Sequence, residues 1–328
     1  MNPENNNISL KVFGASVNIT APFEVVDWVK HDYSRYVTQH QTKANLIFNL
    51  SVKPPAQNHY NGLTAKGYHK DYIIYEKGYL RVIDFFGKAL SIFNKKTKET
   101  SVNCPDLDYL YEIFYLAFES LVGEELENKG FTRIHCLALE KNGQANILML
   151  PPGGGKTTLA LKFLEHSTIK VLAEDILLYK KGKFYGLNFR WGIREKSSNQ
   201  FKNRLMKRQS ENNKYLIDTT NLLLTTNETT YGNLIIGIRQ IGQNCQIIKI
   251  SKLKMFAQMF KPLVLGLELQ QSLAYFLLGN PLDYFLKFRL IWRRLFAIIR
   301  IITNSPCYNV FLGNNVNNNF QTLSKFLD

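Results

Sequence analysis

The chain has 328 residues, of which 45% are apolar and 13% aromatic, enough to build one large domain or two smaller ones around a hydrophobic core. Its net charge of +15 favours a nucleic acid, an anionic membrane or an acidic macromolecule as partner, although the basic residues are scattered rather than clustered. The four cysteines lie far apart without a C-x-x-C pair, which excludes the common zinc and redox motifs and indicates a reducing compartment. The N-terminus does not match a signal peptide, so we expect a cytoplasmic protein.

Residues 1–104 are predicted to form a β-rich N-terminal lobe. Apolar segments separated by Gly, Pro and Asn turns predict one helix near 23–36 and strands over 8–12, 44–52, 72–75, 80–85 and 89–93. The histidines of this lobe are isolated in the sequence, so we expect them on the surface and find no chemistry in the lobe.

A second domain, 105–328, opens with a long helix. Apolar residues recur at helical spacing from about residue 105 to 128, and Gly130 is a typical helix-ending residue. A strand over 131–140, the turn Asn142-Gly143 and a second apolar strand then predict a tight hairpin.

The segment after this hairpin is the one around which we expect the chain to be organised. The apolar strand ends at two prolines, and an apolar-periodic helix follows the run Gly153, Gly154, Gly155, Lys156, Thr157 and Thr158. A strand, a glycine loop and a helix N-terminus can cradle a polyphosphate, since backbone N–H groups and the helix dipole both attract anions. These six residues are therefore the predicted nucleotide-binding residues, with Lys156 on the β- and γ-phosphates and Thr157 on Mg²⁺.

The loop departs from the full pattern G-x-x-x-x-G-K-[ST] at one position. Leu150 stands where the pattern has its first glycine. The alternative is a glycine-rich turn without a ligand.

Two carboxylates, Glu174 and Asp175, follow the next predicted strand, 169–173, and precede another over 176–179. Phosphoryl transfer needs a carboxylate that holds Mg²⁺ and gains from one that accepts the proton of the attacking hydroxyl. His135, one hairpin before the loop, could neighbour these acids and modulate their proton affinity. In the alternative, the two acids are solvated surface residues and His135 is a core histidine.

The remainder of the chain is predicted to contain strands and a helical end. After a turn at Lys181-Gly182 we expect a strand over 183–189, a hairpin of 234–239 with 246–250 around Gly242, and helices over 253–303. The apolar stretch 262–280 carries Glu268, and the next stretch carries several basic residues, each costing about 2.5–3.5 kcal/mol at a bilayer centre. We therefore expect packing against the core rather than a transmembrane segment, with contact to a lipid surface as the alternative.

The ordered set of motifs resembles the catalytic domain of HPr kinase/phosphorylase and its bacterial relatives. The resemblance is carried by His135-Cys136, the Asn142-Gly143 turn, the run from Leu150 to Ala160, the segment Leu172-Ala173-Glu174-Asp175, and the C-terminal Ser305-Pro306-Cys307-Tyr308-Asn309-Val310. It covers roughly residues 105–328 and is closest over about 130–180. It implies an α/β fold with a P-loop core of the type shared with phosphoenolpyruvate carboxykinase, followed by a C-terminal helical region.

The resemblance also implies roles for individual residues. Lys156 would contact the phosphates, Thr157 and Asp175 the metal, Glu174 would accept the proton, and His135 would assist it. The family has Asp where this chain has Glu174, so Asp175 stays open as the proton acceptor.

These observations predict a bacterial, cytoplasmic kinase that uses ATP and Mg²⁺. Its catalytic residues would be Lys156, His135, Glu174 and Asp175, and its acceptor a hydroxyl of a protein, peptide or small molecule, by resemblance a seryl group. The basic surface would suit an acidic acceptor. The oligomeric state is left open.

Three other classes of protein were weighed. A non-catalytic ATP-binding regulator would explain the two departures from the family pattern. A motor or transport NTPase would need an apolar run ending in Asp-Glu far downstream, which the sequence lacks. A nucleic-acid-binding protein is suggested by the charge, but the sequence has no basic-aromatic motif, so no specific nucleic acid is expected.

Overall fold

The computed structural model describes residues 6–39, 43–56, 62–151, 153–193, 203–209, 212–220, 222, 224, 228–242, 244–260 and 281–328, and of residues 281–287 the backbone alone. Within these ranges the chain is a mixed α/β protein with four β-sheets. Its six described α-helices are α1 Phe23–Asp32, α2 Leu107–Asn128, α3 Lys156–His166, α4 Lys252–Met259, α5 Pro281–Asn304 and α6 Val316–Leu327.

The chain divides into two compact units. The described part of the first comprises residues up to Leu126 and the segment Gly192–Thr220, and the second comprises Glu127–Trp191 and the described residues beyond 220. The predicted division into 1–104 and 105–328 stays a prediction.

The first unit is built on a nine-stranded sheet, in the order β3-β1-β2-β4-β9-β8-β7-β6-β5. Apolar side chains alternate with polar ones along β1 and β2, so one face of each strand is buried and the other is not. The strands are β1 Asn6–Val12, β2 Ala15–Ala21, β3 Val37–Thr38, β4 Leu46–Ser51, β5 Thr64–Tyr68, β6 Ile73–Lys77, β7 Leu80–Asp84, β8 Leu90–Asn94 and β9 Glu99–Asn103.

The predicted elements of this unit are confirmed, but the prediction was incomplete. The helix near 23–36 is α1 followed by a short 3-10 turn, and the five predicted strands correspond to β1, β4, β6, β7 and β8. The strand β2 was missed because its buried positions are mostly small or β-branched residues between Ser16, Asn18 and Thr20, which weakens the apolar signal.

The second unit contains a six-stranded sheet, β13-β11-β12-β19-β21-β20, and a three-stranded sheet, β10-β14-β15. In the larger sheet β19 runs parallel to both β12 and β21, whereas the other pairs are antiparallel. The strands of this unit are β10 Thr132–His135, β11 Leu137–Lys141, β12 Gln144–Met149, β13 Lys170–Ala173, β14 Ile176–Lys180, β15 Lys183–Leu187, β19 Thr230–Arg239, β20 Gln246–Lys249 and β21 Cys307–Leu312. The remaining three-stranded sheet consists of β16 Trp191–Ile193, β18 Lys214–Ile217 and β17 Asn203–Met206, and all of it except Trp191 belongs to the first unit.

The hydrophobic core of the second unit lies between its larger sheet and two helices. Met255 and Met259 of α4 and Ile298 and Ile301 of α5 are buried against Ile147 and its neighbours in the sheet. The burial of each of these side chains stabilises the folded state by about 1.5–3 kcal/mol. The helices predicted over 253–303 are thus α4 and α5, while the segment 261–280 lies outside the described residues.

Two predictions about strands were wrong. The predicted single strand 131–140 is two strands, β10 and β11, which separate at Cys136 and belong to different sheets. The predicted hairpin of 234–239 with 246–250 does not form, because β21 lies between β19 and β20 and pairs with both. Proximity in sequence favoured a hairpin, but parallel pairing with a strand about 70 residues away buries the apolar faces of both partners.

None of the helices in the described ranges has a stretch long and apolar enough to cross a membrane.

Candidate active site

The glycine loop joins β12 to α3 in a tight, left-handed backbone path. Gly153 and Gly155 have φ angles of +72° and +92°, which L-residues with side chains rarely adopt. The N–H of Gly154 donates to the carbonyl of Pro151 at 2.9 Å, and a Cβ on Gly154 would lie 2.8 Å from that carbonyl oxygen. The path therefore requires glycine at all three positions and leads straight into the N-terminus of α3.

Leu150, the departure from the glycine pattern, is accommodated by a glycine on the neighbouring strand. Its side chain is buried, and a Cβ on Gly237 of β19 would lie 2.0 Å from Leu150 Cδ2. The missing first glycine of the loop is thus matched by Gly237, which leaves the room that Leu150 fills. The carbonyl of Leu150 accepts a hydrogen bond of 3.1 Å from Lys156 Nζ, so the loop lysine lies back across the start of the loop.

His135 and the carboxylates Glu174 and Asp175 meet where two neighbouring strands change sheets. β10 gives way to β11 at Cys136, and β13 gives way to β14 at Glu174 and Asp175. The N–H of Cys136 donates to the carbonyl of Asp175 at 3.0 Å, which holds the two crossings together. Glu174 and Asp175 lie between β13 and β14, and His135 is the last residue of β10, where it pairs with Ile176 of β14.

Side-chain contacts link the loop helix, the carboxylates and the histidine. The hydroxyl of Thr157 donates a short hydrogen bond to Glu174 Oε1. His135 Nε2 lies 2.7 Å from Asp175 Oδ1, which makes a hydrogen bond and, when the imidazole is protonated, an ion pair. The two carboxylates thus have different partners, Thr157 for Glu174 and His135 for Asp175.

The two carboxylates also differ in proton affinity. Burial, followed by the negative charge of Asp175, raises the pKa of Glu174 from 4.5 to about 7, although Thr157, Lys156 and His135 act in the opposite direction. Desolvation by the protein atoms around Asp175 also acts to raise its pKa, although half of the side chain is exposed, but the hydrogen bond and charge of His135 outweigh it and the pKa lies below its ordinary value. Lys156 and Arg190 add to that lowering. The site therefore holds one carboxyl that titrates near neutrality beside one that stays ionised.

A second close contact, between β15 and β13, lies directly before the carboxylates. Gly186 of β15 faces Leu172, whose carbonyl oxygen would be 1.7 Å from a Cβ at position 186. Asn188 Nδ2 donates to the same carbonyl at 2.8 Å. Any side chain on Gly186 would push β15 away from the end of β13 and displace Glu174.

The structure brings together most of the predicted site residues. His135, Lys156, Thr157, Glu174 and Asp175 form one cluster around the loop, whereas Thr158 is exposed on the outer face of α3. Sequence reasoning missed Arg190 and Gly237. Arg190 lies just beyond a predicted strand with no motif to mark it, and Gly237 becomes meaningful only through the parallel pairing of β12 with β19.

Oxygen atoms suitable for a hard cation converge at the start of α3. The Thr157 hydroxyl and the Glu174 carboxylate are in contact, and the Asp175 carboxyl, 55% exposed, is the next residue along the chain. Within the described ranges no group of three or more His, Cys, Asp and Glu side chains could hold a metal alone. Mg²⁺ in nucleotide sites needs only one or two protein ligands beside phosphate and water, so these residues fit it.

No protein-family model matches this chain, and no curated protein matches its sequence significantly.

Proposed function

We propose that this protein is an ATP- and Mg²⁺-dependent kinase that transfers the γ-phosphoryl group to a hydroxyl, with a seryl residue of a protein or peptide as acceptor. One observation carries the proposal. A glycine loop that leads into a helix N-terminus lies beside a pair of carboxylates, one with a pKa near 7, and a histidine contacts the other carboxylate. A turn that merely joins a strand to a helix needs neither the acids nor the histidine.

Each residue has a role that its surroundings support. The backbone N–H groups at the start of α3 and the side chain of Lys156 would bind the triphosphate, since anions are favoured at a helix N-terminus. Thr157 and the carboxylates would hold Mg²⁺, which when bound neutralises charge on the phosphates. Asp175, kept ionised by His135, suits the metal.

Glu174 is the better proton acceptor of the two carboxyls. A general base works best when its pKa lies near the working pH, and only Glu174 meets this condition. His135 would orient Asp175 and, through its charge, lower the proton affinity of Glu174. The contact of Thr157 with Glu174 favours the reverse division of roles, so the two assignments are separated by experiment below.

The acceptor class can be tested directly. Purified protein is incubated with Mg²⁺ and γ-labelled ATP on an array of serine peptides that carry acidic, neutral or basic flanks. We expect label on seryl groups, with acidic peptides preferred because the chain carries +15, and none with Lys156→Ala. Equal labelling by the wild type and Lys156→Ala would contradict the proposal.

A second candidate function is an ATP-binding regulator without phosphoryl transfer. The observation that favours it is Leu150, which fills the start of the loop against Gly237 where the common pattern has a glycine. Tight Mg·ATP binding together with neither transfer to any peptide nor hydrolysis would support this function over the kinase. The cytoplasmic location and the lack of a specific nucleic-acid partner stay predictions.

A further inference from the structure

Helix α5 carries a row of exposed apolar side chains, which we name the aromatic stripe. It consists of Phe288, Trp292, Phe296 and Ile299, each between 42% and 63% exposed. Their spacing of four, four and three residues places them on one side of the helix. The rings contact each other in sequence, with centroids 5.7 Å apart for Phe288 and Trp292 and 5.8 Å apart for Trp292 and Phe296.

The aromatic stripe is not the face by which α5 packs into its own unit. The side chains that α5 buries, including Leu290, Ala297, Ile298 and Ile301, lie on the opposite side of the helix at about 100° per residue. α5 is thus apolar on two sides, and only one of them is used by the core. Four large apolar side chains in one exposed row are more than isolated surface residues, and such a patch marks an interaction site.

The neighbouring helix adds to this surface. α4 packs against α5, and Lys252 Nζ donates to the carbonyl of Thr303 at 2.5 Å. Leu253 of α4 is 79% exposed, and Phe260, directly after α4, is 39% exposed. Both helices of this pair therefore present apolar side chains to solvent beyond those they bury.

On these two helices, the charged side chains that the structure describes all have one sign. Residues 252–260 and 288–304 contain no Asp or Glu, whereas Lys254, Arg289 and Arg300 are exposed among them. An apolar ridge with these cations beside it is complementary to a surface that is apolar below and negatively charged on top. A phospholipid bilayer with anionic headgroups has this composition.

We propose that the aromatic stripe docks this protein on the surface of an anionic phospholipid bilayer, with its rings in the headgroup region and Arg289 and Arg300 on lipid phosphates. A second copy of the chain fits less well, because the same arginines would face each other across the interface. A nucleic acid fits less well too, because the row includes the aliphatic Ile299 and its rings pack on one another. The proposal goes beyond the kinase function and does not depend on it.

The test uses the full chain and vesicles that float in a density gradient. Vesicles of phosphatidylcholine are compared with vesicles that contain in addition about 30% phosphatidylglycerol, which gives the bilayer the negative surface potential that attracts basic residues. We expect binding to the anionic vesicles, a several-fold weaker response without phosphatidylglycerol, and loss of binding at high salt. Tryptophan emission should shift to the blue on binding, and Trp292→Phe should remove the shift, since Trp191 is buried and the half-buried Trp28 packs on Tyr111 in the first unit.

Matched variants separate the aromatic stripe from general effects. Phe296→Glu should lower the partition coefficient by about tenfold or more, because it replaces an apolar ring that would be buried in the headgroup region by a charged group. The control Phe23→Glu, at a site that is 64% exposed on α1, should not change it. Arg289→Glu with Arg300→Glu should weaken binding to anionic vesicles about tenfold or more, whereas Lys11→Glu with Lys66→Glu, an equal change of charge on β1 and β5, should not.

Several outcomes would overturn the proposal. The first is no binding to anionic vesicles, and the second is an equal loss of vesicle binding in Phe296→Glu and Phe23→Glu. The third is displacement of the protein from the vesicles by single-stranded oligonucleotides that carry the same total charge as the lipid. Sedimentation in which Phe296→Glu converts an oligomer to a monomer would assign the aromatic stripe to a second copy of the chain. If acrylamide does not quench the fluorescence of Trp292 in the absence of vesicles, another part of the protein covers this residue.

Discussion

Glu174 and Asp175 are neighbours in sequence, but their surroundings give them different chemistry. Glu174 is buried beside Thr157, and its pKa rises to about 7. Asp175 is exposed beside His135, and its pKa falls. The two residues lie in the bend between β13 and β14, where Glu174 is 7% exposed and the side chain of Asp175 is 55% exposed.

The raised pKa of Glu174 predicts a pH-dependent gain in stability for Glu174→Gln. Because folding favours the protonated carboxyl, the stability it contributes is full below pH 4.5 and is lost as the pH rises through about 7. At pH 8 the ligand-free variant should therefore be more stable than the parent, by on the order of 2 kcal/mol. At pH 4 the two should differ little.

Denaturant unfolding at the two pH values measures this difference. The control is Glu24→Gln on the exposed start of α1, which should leave the pH dependence of stability unchanged. A stability difference between Glu174→Gln and the parent that is the same at pH 4 and pH 8 would contradict the raised pKa.

The same pair of carboxylates should divide catalysis between them. Asp175→Asn should weaken the Mg²⁺ dependence of ATP binding, and Glu174→Gln should chiefly lower kcat by about 100-fold or more, since only the latter removes a proton acceptor. Magnesium titrations and steady-state kinetics on both variants show which carboxylate binds the metal and which accepts the proton. The opposite pattern would assign the metal to Glu174, in line with its contact to Thr157.

His135 is predicted to act through the carboxylates. His135→Gln should lower kcat by about tenfold and change the pH–rate profile between about pH 5 and 8, where imidazoles titrate. Glutamine can keep one hydrogen bond, so the melting temperature should change little. A variant that melts lower but keeps the parental pH–rate profile would make His135 a purely structural residue.

At the scale of elements, the loop depends on the match between β12 and its parallel partner β19. Gly237→Ala would place a Cβ 2.0 Å from Leu150 Cδ2, so it should destabilise the protein by about 1–3 kcal/mol through overpacking. Leu150→Ala alone should cost about 2–5 kcal/mol because it leaves a cavity. The double variant should lose less than the sum of the two, since the new Cβ enters the space that Leu150 vacates.

Chemical denaturation of the two single variants and the double variant measures the coupling. Gly242→Ala is a control for loss of a glycine, because its Cβ would meet open space although its φ of +72° adds some strain. Strictly additive effects of Gly237→Ala and Leu150→Ala would mean that Leu150 is not held by Gly237.

Local sequence patterns predicted the elements better than their pairing. The turns Asn142-Gly143 and Lys181-Gly182 have positive φ at both residues, as two-residue hairpins require, and both hairpins were predicted. The break at Cys136 was not predicted, because an apolar run that passes from one sheet to another resembles one continuous strand. β19 and β20 were predicted to pair because nothing local in the sequence indicates that β21 lies between them.

For the candidate site too, the sequence predicted residues but not their contacts. Glycines, Lys156 and Thr157 form a motif with fixed spacing, so the sequence alone was enough to predict them as a group. The partner of each carboxylate could not be predicted, because it depends on how Glu174 and Asp175 are turned at the strand crossing. The pKa difference follows from burial, which only the folded chain determines.

At the scale of the whole molecule, the residues of the candidate site all belong to the second compact unit. They lie on α3 and on or next to strands of the six-stranded and the three-stranded sheet of this unit. The first unit adds a nine-stranded sheet whose described residues take no part in this cluster. The basic charge of the chain as a whole favours anionic ligands, and ATP, an acidic peptide and an anionic bilayer all meet this condition.

Equilibrium binding of Mg·ATP to the purified chain tests the central claim most directly. Calorimetry should give one saturable site, and Lys156→Ala should weaken the affinity about tenfold or more, because the lost ammonium group would contact the phosphates. Lys170→Ala, at an exposed position on β13, is the matched control and should bind like the parent. Absence of Mg·ATP binding by the folded parent, or equal affinities of the parent, Lys156→Ala and Lys170→Ala, would show that the glycine loop is only a turn.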